Sequence, residues 1–157
     1  MSAVLRTARP DDYEAIVSVL DQWWGRPMAH LVPRLFLDHF HATSLVAERD
    51  GTLTGFLIGF HSPSRFGRAY IHFVGVTPEA RRTGLARRLY ATFFEAAIQA
   101  GCTVVNAITG PVNTGSIAFH RAMGFTVRGP VRDYDGPGAD RMVFERPLAA
   151  AEPVPRP

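Results

Sequence analysis

Lysine is absent from these 157 residues, cysteine occurs once, and every apolar stretch is short and interrupted. Each shortage excludes something. The single cysteine, Cys102, rules out an intrachain disulfide and a metal site built from several thiolates, and it reads as a small core hydrophobe. Without an apolar run of about 20 residues, no membrane-spanning helix is expected. The opening Met1-Ser2-Ala3-Val4-Leu5-Arg6 has no basic region leading into an apolar one, so no signal peptide is expected and the cytoplasm is the expected compartment. With no lysine, arginine carries all 17 basic side-chain charges, and the formal net charge of +3 is too small to argue for a nucleic-acid partner. The simplest reading of the missing lysine is codon bias in a GC-rich, bacterial-like genome. His30, His41 and His61 share no ligand spacing, so no metal site is expected.

What is present is an ordinary globular composition, 46% hydrophobic and 20% charged, at a length that suits one domain. Val4–Thr7 reads as a strand. Pro10-Asp11-Asp12 opens a helix carrying Tyr13, Ile16, Val17 and Leu20 at helical spacing, and Gly25 and Pro27 end it near Trp24. A shorter helix fits Val32–Phe40. Strands over Ser44–Arg49 and Leu53–Phe60 flank the hairpin signal Asp50-Gly51. Over Ala69–Val76, Ile71, Phe73 and Gly75 alternate with Tyr70, His72, Val74 and Val76, which predicts a central strand. The longest helix is predicted over Arg82–Ala100, with Leu85, Leu89 and Phe93 on its apolar stripe and Gly101 as its stop. A strand over Thr103–Ile108, a helix over about Thr114–Met123, and a strand pair, Phe125–Val131 and Arg141–Arg146, complete the order. The expectation is a single α/β (mixed α+β) domain over residues 1–148, with a disordered tail over Ala149–Pro157.

Between the central strand and the long helix lies Val74-Gly75-Val76-Thr77-Pro78-Glu79-Ala80-Arg81-Arg82-Thr83-Gly84-Leu85-Ala86. A helix start leaves backbone N–H groups without partners and carries positive potential. Small Gly84 and Ala86 let a bulky anion approach those groups, and Arg81 and Arg82 add charge, so the turn suits a pyrophosphate. A plain strand–helix corner with a packing glycine is the alternative. The later segment Asn113-Thr114-Gly115-Ser116-Ile117-Ala118-Phe119-His120-Arg121-Ala122-Met123-Gly124-Phe125 places Asn113, Ser116 and His120 along one helical face.

Both segments resemble motifs of the GNAT acetyltransferase superfamily. Arg81, Gly84 and Ala86 stand at the fixed positions of its acetyl-CoA motif, and Asn113, Ser116, Phe119, Gly124 and Phe125 match its later helix. The resemblance spans roughly Leu5 to Leu148. It implies a mostly antiparallel, twisted sheet of about seven strands with about four helices, its strands splayed at an acetyl-CoA cleft. It also implies that Val74, Gly75 and Val76 line the pantetheine arm, and that Arg81, Arg82, Thr83, Gly84, Leu85, Ala86 and Arg87 hold the pyrophosphate. Asn113 and Ser116 would contact the cofactor across the cleft. The implied reaction is acetyl transfer to a primary amine of a small molecule or peptide, by direct attack in a ternary complex. A non-catalytic acyl-CoA-binding module is the alternative.

Such transfer needs a base for the amine, donors for the oxyanion and an acid for the thiolate. The family's usual tyrosine acid is replaced here by His120, which either protonates the sulfur or packs; Tyr134 and Tyr90 are substitutes. The family's usual strand glutamate falls on Tyr70, so His72 becomes the base candidate, with a histidine satisfied by backbone as the alternative. The acceptor side is expected on the first two helices, with Trp23, Trp24, Arg34, Phe36 and His39, together with Tyr70. For either tryptophan the core is an alternative, as is a homodimer contact.

Overall fold

Alternation and periodicity in the chain produce four α-helices and a seven-stranded sheet in the computed structural model, which describes residues 2–149. In chain order the elements are β1 (Val4–Thr7), α1 (Tyr13–Trp24), α2 (Leu35–His39), β2 (Leu45–Arg49) and β3 (Thr52–His61). Then follow β4 (Arg68–Val76), α3 (Leu85–Gln99), β5 (Val104–Thr109), α4 (Thr114–Ala122), β6 (Thr126–Val131) and β7 (Arg141–Pro147). The tail expected from Ala149 onward lies, but for that first residue, outside the described residues. Among those residues no helix is long and apolar enough to cross a membrane.

The sheet runs β1-β2-β3-β4-β5-β7-β6, and only β4 and β5 pair in parallel. The crossover that parallel pairing requires is α3. Helices α3 and α4 cover one face, where Leu89, Phe93 and Ala97 pack on Leu57, Ile71, Val105 and Phe144. Helices α1 and α2 cover the other, where Ile16, Leu20, Trp23 and Leu37 pack on Val46, Phe56 and Ile58. That second layer reaches β2, β3 and β4 but no core residue of β5, β7 or β6. Among the described residues, one side of the β5–β7–β6 half-sheet is therefore left uncovered by helices.

Three expectations need correction. The second helix is shorter than Val32–Phe40: a 3-10 turn at Ala29–Leu31 comes first, and only Leu35–His39 is α-helical. Helix α3 starts at Leu85 rather than Arg82, because Arg82 (φ 64°) and Gly84 (φ 85°) both take left-handed backbone that no α-helix contains. Strand β4 does not alternate regularly either. Ile58 pairs with Phe73 and Gly59 with Ile71, so His72 is an extra residue, a β-bulge. The bulge switches phase: Ile71 packs under α3, whereas Phe73 packs with α1 and α2.

Candidate active site

Strand β4 is paired on both edges only at its beginning. Arg68, Ala69 and Tyr70 pair with Val104, Val105 and Asn106, and then β4 and β5 part. From Ile71 to Val76, β4 keeps only its β3 neighbour. Thr77 N–H donates to Thr54 O, so by antiparallel alternation the N–H groups of Val76 and Val74 point to the unpaired edge. These amides can take up an extended ligand as a strand would. Gly75, on the same stretch, serves packing: a Cβ there would come within 2.6 Å of Phe56 and 2.7 Å of Trp24.

At the end of this open edge the chain turns sharply. Among the described residues, no hydrogen bond takes the backbone N–H groups of Arg82, Gly84, Leu85, Ala86 or Arg87. A run of unpaired N–H groups at a helix start, beside left-handed residues, is an anion cradle. A side chain at Gly84 would meet no atom within 4 Å but would be strained by its positive φ, so the glycine keeps both the turn and the approach open. The guanidinium of Arg81 is engaged elsewhere: it donates to Trp23 O at 2.6 Å, a cation at the C-terminal end of α1. Arg82 and Arg87, both exposed and with no ion-pair partner among the described residues, are left to face an anion. The side chain of Thr83 bonds Ala80 O and closes the turn.

Asn113 is the N-cap of α4. Its side chain accepts from Ser116 N at 3.2 Å and donates to Thr109 Oγ1 at 3.1 Å, which explains the helix start there. The face shared by Ser116 and His120 exists as expected, but it leads inward. His120 is 6% exposed and stacks on Phe144 at 4.0 Å between ring centroids, with Tyr90, Phe119 and Phe125 around it. Its Nδ1 lies 2.8 Å from Ser116 O and its Nε2 2.9 Å from Tyr90 Oη. The tautomer that satisfies both donates Nδ1–H to the carbonyl and accepts the phenol proton at Nε2. Burial pushes the imidazole below its ordinary 6.5, against the opposing pull of the Ser116 carbonyl. Both His120 nitrogens thus have protein partners, which favours the packing alternative over a role as the acid. Burial likewise raises the Tyr90 phenol well above its ordinary value.

His72, at the bulge, sits between sheet and helices. Its Nε2 is 2.6 Å from Leu31 O, and its ring stacks on Phe36 at 4.0 Å and 8°. Donation from Nε2–H leaves Nδ1 as an acceptor. Burial lowers the imidazole pKa and the Leu31 bond opposes it, so the neutral ring is favoured.

The expected acceptor residues divide. Trp23 stacks on Phe56 and is 8% exposed, so it is core, whereas Trp24 is half-buried and packs on Phe73 at the edge of that core. Arg34 lies over the Tyr13 ring and pairs with Glu14 at 3.0 Å, on the outer side of α1. His39 is exposed and makes no hydrogen bond among the described residues. Tyr70 and Tyr134 do line a cleft, one of about 500 Å³ on the open side of the β5–β7–β6 half-sheet. Its other polar lining was not anticipated: Arg65, Arg68, Asn106, Arg128 and Glu145. Arg68 donates to Asn106 Oδ1 at 2.9 Å and Asn106 donates to Glu145 at 3.3 Å, a polar ladder across β4, β5 and β7. Burial, with the charges of Tyr134 and Asp135, pushes the Tyr70 phenol up to about 12, so it stays a donor at neutral pH. The cleft lies beside Tyr70 and Asn106, the last pair before β4 and β5 part, while the anion cradle lies beyond the far end of the unpaired β4 edge.

A sequence profile of the acetyltransferase (GNAT) family matches residues 5–125. An IAA acetyltransferase of Azospirillum brasilense is 34% identical over 105 residues, covering 66% of this chain and 67% of that protein. The Ard1 structure from Thermoplasma volcanium superposes with a TM-score of 0.80 at 17% identity, over 96% of this chain and 100% of that one. A diaminobutyrate acetyltransferase from Paenibacillus lautus, solved with L-2,4-diaminobutyric acid and coenzyme A, gives 0.73 at 19% identity over 93% and 95%. At such identities the two structures speak for the fold alone.

Proposed function

The chain belongs to the GNAT acetyltransferase family, and from that premise we propose that it is an acetyl-CoA-dependent N-acetyltransferase acting on a primary amine of a small molecule or peptide. The observation that carries the proposal is the set of unpaired N–H groups on Arg82 and on Gly84 to Arg87, at the end of an unpaired strand edge. Together they match an extended ligand that ends in a pyrophosphate. Val74 and Val76 would hold the pantetheine arm, and Gly84, Leu85, Ala86 and Arg87 the phosphates, with Arg82 and Arg87 adding charge. Bound there, acetyl-CoA supplies an acetyl group activated as a thioester.

This chain's residues do the rest, except that coenzyme A leaves as a thiolate that solvent protonates. The acceptor enters the cleft lined by Tyr70, Asn106 and Tyr134 and reaches the point where β4 and β5 part. Nδ1 of the neutral His72 is the base that takes the ammonium proton, directly or through water. The Tyr70 hydroxyl, a donor at neutral pH, stands at the same point to stabilise negative charge, and Tyr134 is the second phenol of the cleft. His120 contributes by fixing Tyr90 and α4 rather than by moving a proton.

Thiol release is the test. Wild-type protein, acetyl-CoA and a panel of primary amines should give acceptor-dependent free thiol, and acetyl-CoA alone should raise the unfolding temperature. A rise in unfolding temperature without thiol release from any amine would favour a binding module. The absence of both would overturn the donor site.

A further inference from the structure

The acceptor cleft carries more positive charge than its walls neutralise. Arg68 is offset by Glu145, 3.5 Å away. Arg65, from the loop between β3 and β4, and Arg128, from β6, line the same cleft, and neither has a carboxylate partner among the described residues. The carboxylates on the neighbouring β6–β7 loop are engaged by the loop and by Arg141 at the start of β7. Asp135 pairs with Arg141 at 2.8 Å, Asp133 accepts from Gly138 N, and Asp140 accepts from Asp133 N. A guanidinium presents planar paired donors that suit a carboxylate, and Arg65 and Arg128, both exposed, bring two of them to one cleft from separate segments. The same cleft is a poor place for a polycation. Its volume, about 500 Å³, is that of a small-molecule site.

We propose that the acceptor is a small amine that also bears a carboxylate, of amino-acid type, with Arg65 and Arg128 binding the carboxylate while the amine points toward Tyr70 and the opening between β4 and β5. This rests on the acetyltransferase reading and narrows it to one substrate class.

The experiment is a thiol-release assay on matched pairs, each amino acid against its own decarboxylated amine, such as 2,4-diaminobutyrate against 1,3-diaminopropane. The expected result is a kcat/KM at least about tenfold higher for the carboxylate-bearing member, the scale of one charge-assisted hydrogen bond. In Arg65→Gln and Arg128→Gln that ratio should fall about tenfold, through KM rather than kcat. Direct titration of the amino acid into the coenzyme A complex should weaken in the same variants. Equal turnover of the two members, or preference for the decarboxylated amine, would overturn the inference and leave the acetyltransferase reading intact. Absence of both acetyl-CoA binding and thiol release would instead overturn the reading on which it rests.

Discussion

The two ends of β4 are made of different materials. Where the strand finishes, the proposed site is backbone: the edge amides of Val74 and Val76 and the unpaired amides of Arg82 and Gly84 to Arg87, shaped by the left-handed Arg82 and Gly84. Where it begins, the site is side chains: Arg65, Arg68 and Tyr70 beside Asn106, Arg128 and Glu145 from other strands. Backbone donors are set by local conformation and serve any ligand with the same anionic group. A side-chain cleft depends on which residues a long-range fold brings together, so it is where one member of a fold family differs in specificity from another. In the proposed reading, the donor end holds the family's shared chemistry and the acceptor end is this chain's own.

His72 lies between the two ends and sharpens the contrast most. His72→Gln should lower turnover by about 10²-fold or more at neutral pH, the usual scale for general-base help, with partial recovery at alkaline pH where the amine deprotonates unaided. Acetyl-CoA affinity should stay unchanged, because the imidazole contacts Leu31 and Phe36 rather than the cradle. A pH-independent loss, or none, would return His72 to a packing role.

His120 gives the smaller effect and tests stability rather than chemistry. His120→Phe keeps the stack on Phe144 but leaves the buried Tyr90 hydroxyl without its acceptor, at a cost of about 1–3 kcal/mol. The sign of the pH dependence follows from its lowered pKa. The folded ring resists protonation, while the unfolded one binds a proton below about 6.5, so its contribution is present above that pH and is lost as pH falls through the folded value. His72 and His61 are lowered too and act in the same direction. Unfolding temperatures from pH 7 down to pH 5 should therefore decline, and less steeply in His120→Phe than in the wild type. An equal slope in both would show that His120 does not titrate on unfolding.

The contrast also explains what the sequence disclosed. Gly84 and Ala86 lie within three residues, and a backbone site needs little more than such a local pattern, so the proposed donor end could be read locally along with the element order, although the Arg81 guanidinium expected there turns to Trp23 O. The start of α3 was misplaced because helical periodicity continues through Arg82 while its backbone does not. The face of Phe73 was misassigned because a one-residue bulge at His72 leaves no trace in an alternation. For Asn113, Ser116 and His120, spacing identified a shared helix face, but not that it leads to Phe144 and Tyr90 in the core. The acceptor cleft was missed almost whole. Arg68 and Glu145 stand far apart in sequence and meet only through the pairing of β4 with β5 and β5 with β7. One signal was available: Asn106 alternates with Val105 and Ala107, which marks a polar face on an otherwise apolar strand.

The central claim is that donor and acceptor sites are separable at the two ends of β4, and a calorimetric titration of acetyl-CoA tests it most directly. Three proteins are needed: the wild type, Gly84→Glu, and the double variant Arg65→Gln/Arg128→Gln. Gly84→Glu strains a backbone with φ of 85° and places a negative charge among the cradle amides, so its affinity should fall by at least about 100-fold. The double variant should bind acetyl-CoA with wild-type affinity. A comparable loss in both variants, or none in Gly84→Glu, would contradict the separation of the two ends.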